Sequence, residues 1–189
     1  MKQSVLTIVL VALSYLAYGR GDINYKHKAI QKTLEKNLSL VNPQLSELDL
    51  PANYATGIEG KFFNVASDNT DAEIKYMYIG RVNSCRAGGC SMPSALTQGG
   101  ESEYFDYLMA FNDKCEVIMV KVFNYQATHG HEVTAKGWLK QFIGYNTDGN
   151  NLEVGKNIDS ISGATISVNG ITQDISDKTQ IISSFLNRS

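Results

Sequence analysis

The chain has 189 residues, a formal net charge of −2, and 43% hydrophobic and 19% charged residues. That is enough for one domain with a real core and unlike a disordered or fibrous chain. No Lys/Arg-rich run occurs, so nucleic acid is not an expected partner.

Residues 1–19, MKQSVLTIVLVALSYLAYG, place Lys2 before an apolar stretch from Val5 to Leu16, followed by the small residues Ala17 and Gly19. This is the pattern of a secretory signal peptide, with the cut expected before Arg20, or of an N-terminal anchor. The apolar run is shorter than the roughly 20 residues of a comfortable membrane span. The mature protein is therefore expected in the periplasm, secreted, or anchored on the outer side of the cytoplasmic membrane. Residues 20–72 read as an N-terminal helix and loop region. Ile30, Leu34, Leu38 and Val41 fall at helical spacing, and Pro43 and Pro51 mark a loop in NPQLSELDLPAN.

The middle of the chain is strand-like. EIKYMYIGRV, residues 73–82, is rich in Tyr, Ile and Val, while EYFDYLMAF and EVIMVKVFNY flank the turn-forming NDKC. Cys85 and Cys90 bracket CRAGGC, and Cys115 sits at the hairpin turn. In an oxidising compartment one disulfide and one free thiol is the plainest reading. Cys85 with Cys90 is the favoured pair because Gly88 and Gly89 let the loop fold back, and pairing of either with Cys115 stays open. A thiol-disulfide function would prefer the tighter C-x-x-C spacing, which this chain lacks.

Next, Ala135, Leu139, Phe142 and Ile143 share a helical face that ends at Gly144, and Val168, Ile171, Ile175, Ile182 and Phe185 mark a last helix. The order of helix, strands, short helix and helix indicates an α+β domain with an antiparallel sheet and flanking helices.

Just before the last helix stands DSISGATIS, residues 159–167. A helix N-terminus offers unpaired N–H groups and partial positive charge, which suits a phosphate. Gly163 and Ala164 add little bulk, Ser162 and Ser167 supply hydroxyls for a phosphate or a helix cap, and Thr165 presents an alcohol. A tight turn followed by an ordinary cap explains a bare SGAT equally well.

The whole string resembles the flavinylation motif of FMN-binding domains, as in the C subunit of sodium-translocating NADH:quinone reductase and the G subunit of the Rnf complex. The resemblance extends over about residues 100 to 186 and makes residues 73–189 the FMN-binding domain. It implies that a flavin transferase takes FAD and joins FMN, through its phosphate, to Thr165. Asp159, Ser162, Gly163, Ala164 and Ser167 would complete the motif. Where the family often has a Glu-Thr-Pro-Gly type loop near the flavin, this chain has QATHGHEV, with Thr128, Gly130 and Glu132 but no proline, and with His129 as a candidate contact to the flavin or its phosphate. The position is kept and the chemistry differs.

The remaining candidates have ordinary readings beside functional ones. His129 and His131 form an H-x-H pair, with His27 the only other histidine; too few ligands lie nearby for a metal site, so none is expected. Trp138 suits either a ring stack or half-buried packing, and Lys136 and Lys140 suit either phosphate steering or a solvated face. The tyrosines are assigned to sheet packing. The expectation is an extracytoplasmic flavoprotein electron carrier with covalent FMN on Thr165. It would serve a redox protein or a membrane redox complex and would not be a complete enzyme. The alternative is a disulfide-stapled extracytoplasmic binding domain whose elbow only caps a helix.

Overall fold

Apolar runs in the middle of the chain, buried on both faces, build a single antiparallel sheet in a computed structural model that describes residues 21–69, 71–84, 103–149 and 151–187. The leader at residues 1–19, Cys85 and Cys90 lie outside the described residues. The strands are β1 (Gln44–Glu47), β2 (Gly60–Ala66), β3 (Tyr76–Asn83), β4 (Tyr104–Phe111) and β5 (Val117–Tyr125), in the order β1-β2-β3-β4-β5. The expected strands thus appear as β3, β4 and β5. The Asn112 side chain shapes the turn between β4 and β5, accepting from the amides of Lys114 and Glu116, with Cys115 at φ 59.

Helices flank the sheet on both faces, giving the expected α+β class. One face carries α1 (Lys28–Lys32), which runs into a π-turn (Thr33–Asn37), and packs Ile30, Leu34 and Leu40 on Met77, Ile79, Leu108 and Ala110. His27 caps α1 by accepting from the Ala29 amide and packs against Phe123, so it belongs to this face. The other face carries the long α4 (Thr165–Leu186), whose Val168, Ile171, Ile175 and Ile182 meet Tyr78, Phe105, Tyr107 and Met109. Between them in sequence lie α2 (Ala52–Ala55), a 3-10 turn (His131–Thr134), α3 (Lys136–Leu139) and a second 3-10 turn (Lys140–Phe142).

Three sequence expectations are corrected. The stretch read as a loop contains β1, which pairs Gln44 to Glu47 with Phe63 to Ala66 of β2 and forms a short sheet edge. Val41 is 53% exposed while Leu40 is buried, because the wider π-turn advances the chain past the regular helical period. Ala135 and Ile143 are exposed, and Val133, Leu139 and Phe142 carry the packing, since this segment breaks into short turns with no common helical face.

Buried polar groups fix α4 to the sheet. The Tyr107 hydroxyl donates to Asp174 Oδ2 at 2.6 Å, and Lys178 Nζ donates to Asp174 Oδ1 at 2.6 Å. Burial holds the Tyr107 phenol well above its ordinary pKa, with the Asp174 carboxylate acting in the same sense. On the opposite face Arg81 makes a fork to Asp106, at 2.6 and 3.1 Å, and its remaining nitrogen donates to the Gly21 carbonyl.

Candidate functional site

The elbow residues come together at the start of α4, one step further along than the sequence suggests. Thr165 is the first residue of the helix and not the residue before it, because the Val168 amide already donates to the Ala164 carbonyl at 2.9 Å. Gly170 lies in the second turn of the helix and lets it approach β3; a Cβ there would stand 2.8 Å from Val82 Cγ1.

Among the described residues the helix has no side-chain cap. Ala164 occupies the N-cap position with φ −121 and ψ 20, and no acidic residue lies in the first turn. Alanine forgoes about 1 kcal/mol relative to Ser, Thr, Asp or Asn at that position. Neither Ser162, Ser167 nor Asp159 supplies the missing cap. Ser162 and Gly163 are exposed in the turn, and Gly163 holds φ 79 in the left-handed region with open space around it. Its glycine is required by backbone conformation and not by crowding. Thr165 is exposed, and its hydroxyl makes no hydrogen bond among the described residues. The result is an open alcohol beside free helix N–H groups at a positive helix end.

Ser167 departs from expectation. It is fully buried, and its hydroxyl lies 2.6 Å from that of Ser84 at the end of β3. It therefore faces the body of the domain, because position three of the helix turns inward beside the buried Val168. Ala164 is likewise fully buried, so its small side chain serves packing and not an approach from solvent.

The loop 128–130 meets the elbow from the other side. Gly130 has φ 81, and a Cβ on it would stand 3.0 Å from Ser167 Oγ and 3.3 Å from the Tyr125 hydroxyl. Thr128 is held by Glu103, which accepts from its amide at 3.1 Å and its hydroxyl at 2.9 Å. His129 is exposed, with its Nδ1 within 2.9 Å of the Thr128 hydroxyl, and its carbonyl accepts from the Tyr125 hydroxyl.

Asp159 is gripped through its backbone. Its carbonyl accepts from Trp138 Nε1 at 2.8 Å and its amide donates to Gln141 Oε1 at 2.8 Å, while the residue itself is exposed. Trp138 is half-buried and edge-on to Phe142. Lys136 and Lys140 are exposed on the same segment. Among the described residues no group of His, Cys, Asp and Glu could hold a metal ion, and Cys115 is a free, buried thiol whose pKa burial raises.

Residues 102–178 match the family model of the FMN-binding domain. That segment is similar to FMN-binding domains. It spans β4, β5, the loop at 128–130, α3, the elbow and the first part of α4. An FMN-binding domain points to a flavoprotein. The strands β1 to β3 and the N-terminal helix lie outside the matched residues, yet β3 contributes Ser84's neighbourhood and the support under α4. No curated protein and no solved structure matches the chain.

Reading the sequence missed Tyr125, Ser84, Gln141 and Glu103 as parts of this region. Tyr125 was assigned to sheet packing, and its ring does stack on Phe105 at 5.6 Å. Its hydroxyl nevertheless reaches out of the sheet into the 128–130 loop. The available signal was its place at the very end of a strand, three residues before Thr128.

Proposed function

We propose that this protein is an extracytoplasmic electron carrier whose FMN is joined through its phosphate to Thr165 Oγ1. The observation that carries the reading is the uncapped start of α4, with an exposed, unbonded Thr165 hydroxyl beside free N–H groups. A helix selected only for stability would carry a cap there. The family match over the same elements supports it.

In the attachment, the Thr165 oxygen bonds to the FMN phosphorus of FAD as the pyrophosphate bond breaks, releasing AMP and the hydroxyl proton. No base lies against Thr165 among the described residues, so a flavin transferase supplies base and metal. The N–H groups of the first turn then stabilise the phosphodiester charge. Gly163 keeps that side of the elbow free of bulk, while the loop that carries Thr128 and His129 borders it. The bound flavin supplies the redox chemistry, and the fold sets its orientation and access. The leader at residues 1–19 takes the chain out of the cytoplasm, where a tethered cofactor is not lost by diffusion. Cys85 and Cys90 form a disulfide in that compartment, and a redox protein or membrane redox complex exchanges electrons with the carrier.

The test is co-expression with a flavin transferase, followed by denaturing gel fluorescence and intact mass. The wild type is expected to keep yellow-green fluorescence in the denatured band and to gain the mass of one FMN less water. Thr165→Ser should retain it and Thr165→Ala should lose it. Fluorescence persisting in Thr165→Ala, or a wild type without added mass beside an active transferase, would sink the proposal.

A further inference from the structure

We infer that Tyr125 is a positioning residue for Thr165: its hydroxyl anchors the 128–130 loop, whose Gly130 packs on Ser167 and Ala164 and holds the uncapped first turn of α4 in place, while Ser84 ties that turn to β3. The inference rests on the reading of Thr165 as the attachment point and names what keeps that residue in place.

Helix ends without caps fray, because their first N–H groups have no partner and their first turn gains little by staying helical. Here the turn is restrained from the side. The Ser84 and Ser167 hydroxyls are 2.6 Å apart and tie the end of β3 to the third residue of α4. The Tyr125 hydroxyl donates to the His129 carbonyl and so fixes the loop whose Gly130 lies against Ser167 and Ala164.

Geometry explains why no bulkier arrangement would serve. Gly130 fits between Ser167, Ala164 and Tyr125 only because it lacks a side chain, with those atoms at 3.0, 3.1 and 3.3 Å from where a Cβ would stand. The Tyr125 ring is fixed by stacking on Phe105 and by the edge contact to His131 at 5.1 Å. Burial raises the phenol pKa against the opposing effect of Ser84 and Ser167, so the hydroxyl stays protonated and can donate. The consequence is a division of labour. An ordinary cap would order the turn by occupying its N–H groups, whereas this clasp orders it through Ser167 and leaves those groups open to an anion.

Tyr125→Phe keeps the ring and removes only the hydroxyl. Amide exchange on unmodified, folded full-length protein is the first readout. Val168 and its next neighbours, the first amides protected by the helix, should exchange about tenfold faster in Tyr125→Phe, while amides in β3 and β4 stay at wild-type rates. The second readout is the initial rate of FMN attachment by a transferase, which should fall severalfold without loss of final occupancy. Ser84→Ala, which removes the tie from Ser167 to the end of β3, should act in the same direction. Wild-type exchange at Val168 in Tyr125→Phe would overturn the inference, and so would acceleration spread evenly over the sheet, which marks a merely structural tyrosine. If wild-type protein takes up no flavin at all, the attachment reading fails while the exchange result still decides the clasp.

Discussion

Gly130 and Ala164 touch across the base of the elbow: a Cβ on the glycine would stand 3.1 Å from that of the alanine. Two residues far apart in the chain thus share one small space, and neither has room to grow. Gly130 adds a second constraint, a backbone at φ 81.

Gly130→Ala should therefore destabilise the protein by about 2–3 kcal/mol, combining left-handed backbone strain with crowding. Gly163→Ala meets strain alone, since nothing lies within 4 Å of its Cβ direction, and should cost about 1 kcal/mol. Urea titration of both variants checks the order. Equal losses would mean that the contact with Ala164 and Ser167 carries no energy.

Lys178 is buried, with its ammonium 2.6 Å from Asp174, which also accepts from Tyr107. Replacing it by an apolar residue leaves a largely buried carboxylate with one neutral donor. Lys178→Met is expected to lower stability on the order of 3 kcal/mol. Flavin attachment at low temperature should survive, because the pair lies further along α4 than the site reaches. Unchanged denaturant midpoints would show that the pair contributes nothing net.

Alkali should unfold the protein through its buried phenols. Burial raises the folded-state pKa of both Tyr78 and Tyr107 above the ordinary value of 10.0. The folded state thus holds these protons more tightly than the unfolded chain, so their contribution is complete below that value and is lost as pH rises past it. Urea midpoints are expected to be level between about pH 7 and 9 and to fall above about pH 10. Tyr107→Phe should make that fall shallower. A midpoint that holds level through strong alkali would contradict the burial.

Much of the scaffold was legible because it rests on local patterns. The Tyr, Ile and Val richness of residues 73–82 and the Asn112 turn specify β3 to β5 from neighbouring residues alone. The strand β1 was hidden, since Pro43 and Pro51 bracket a short polar run that becomes a strand only when β2 lies beside it. At the site, the motif's position and the openness of Thr165 were readable. Ser167 was not: its partner Ser84 is 83 positions away, and a serine carries no mark of whether it will be buried. Trp138 was undecided between ring stacking and packing for the same reason. Its choice was set by the Asp159 carbonyl, a backbone group that no side-chain pattern reports.

That Thr165 stands inside α4 and not in a loop limits how anything bonded to its oxygen can swing. Helical φ and ψ are fixed, leaving χ1 as the one soft torsion before the oxygen, and a β-branched threonine in a helix divides that torsion between two wells. A pendant group there hangs on a leash with two settings at its root, so the protein controls its aim through a single carbon–carbon bond.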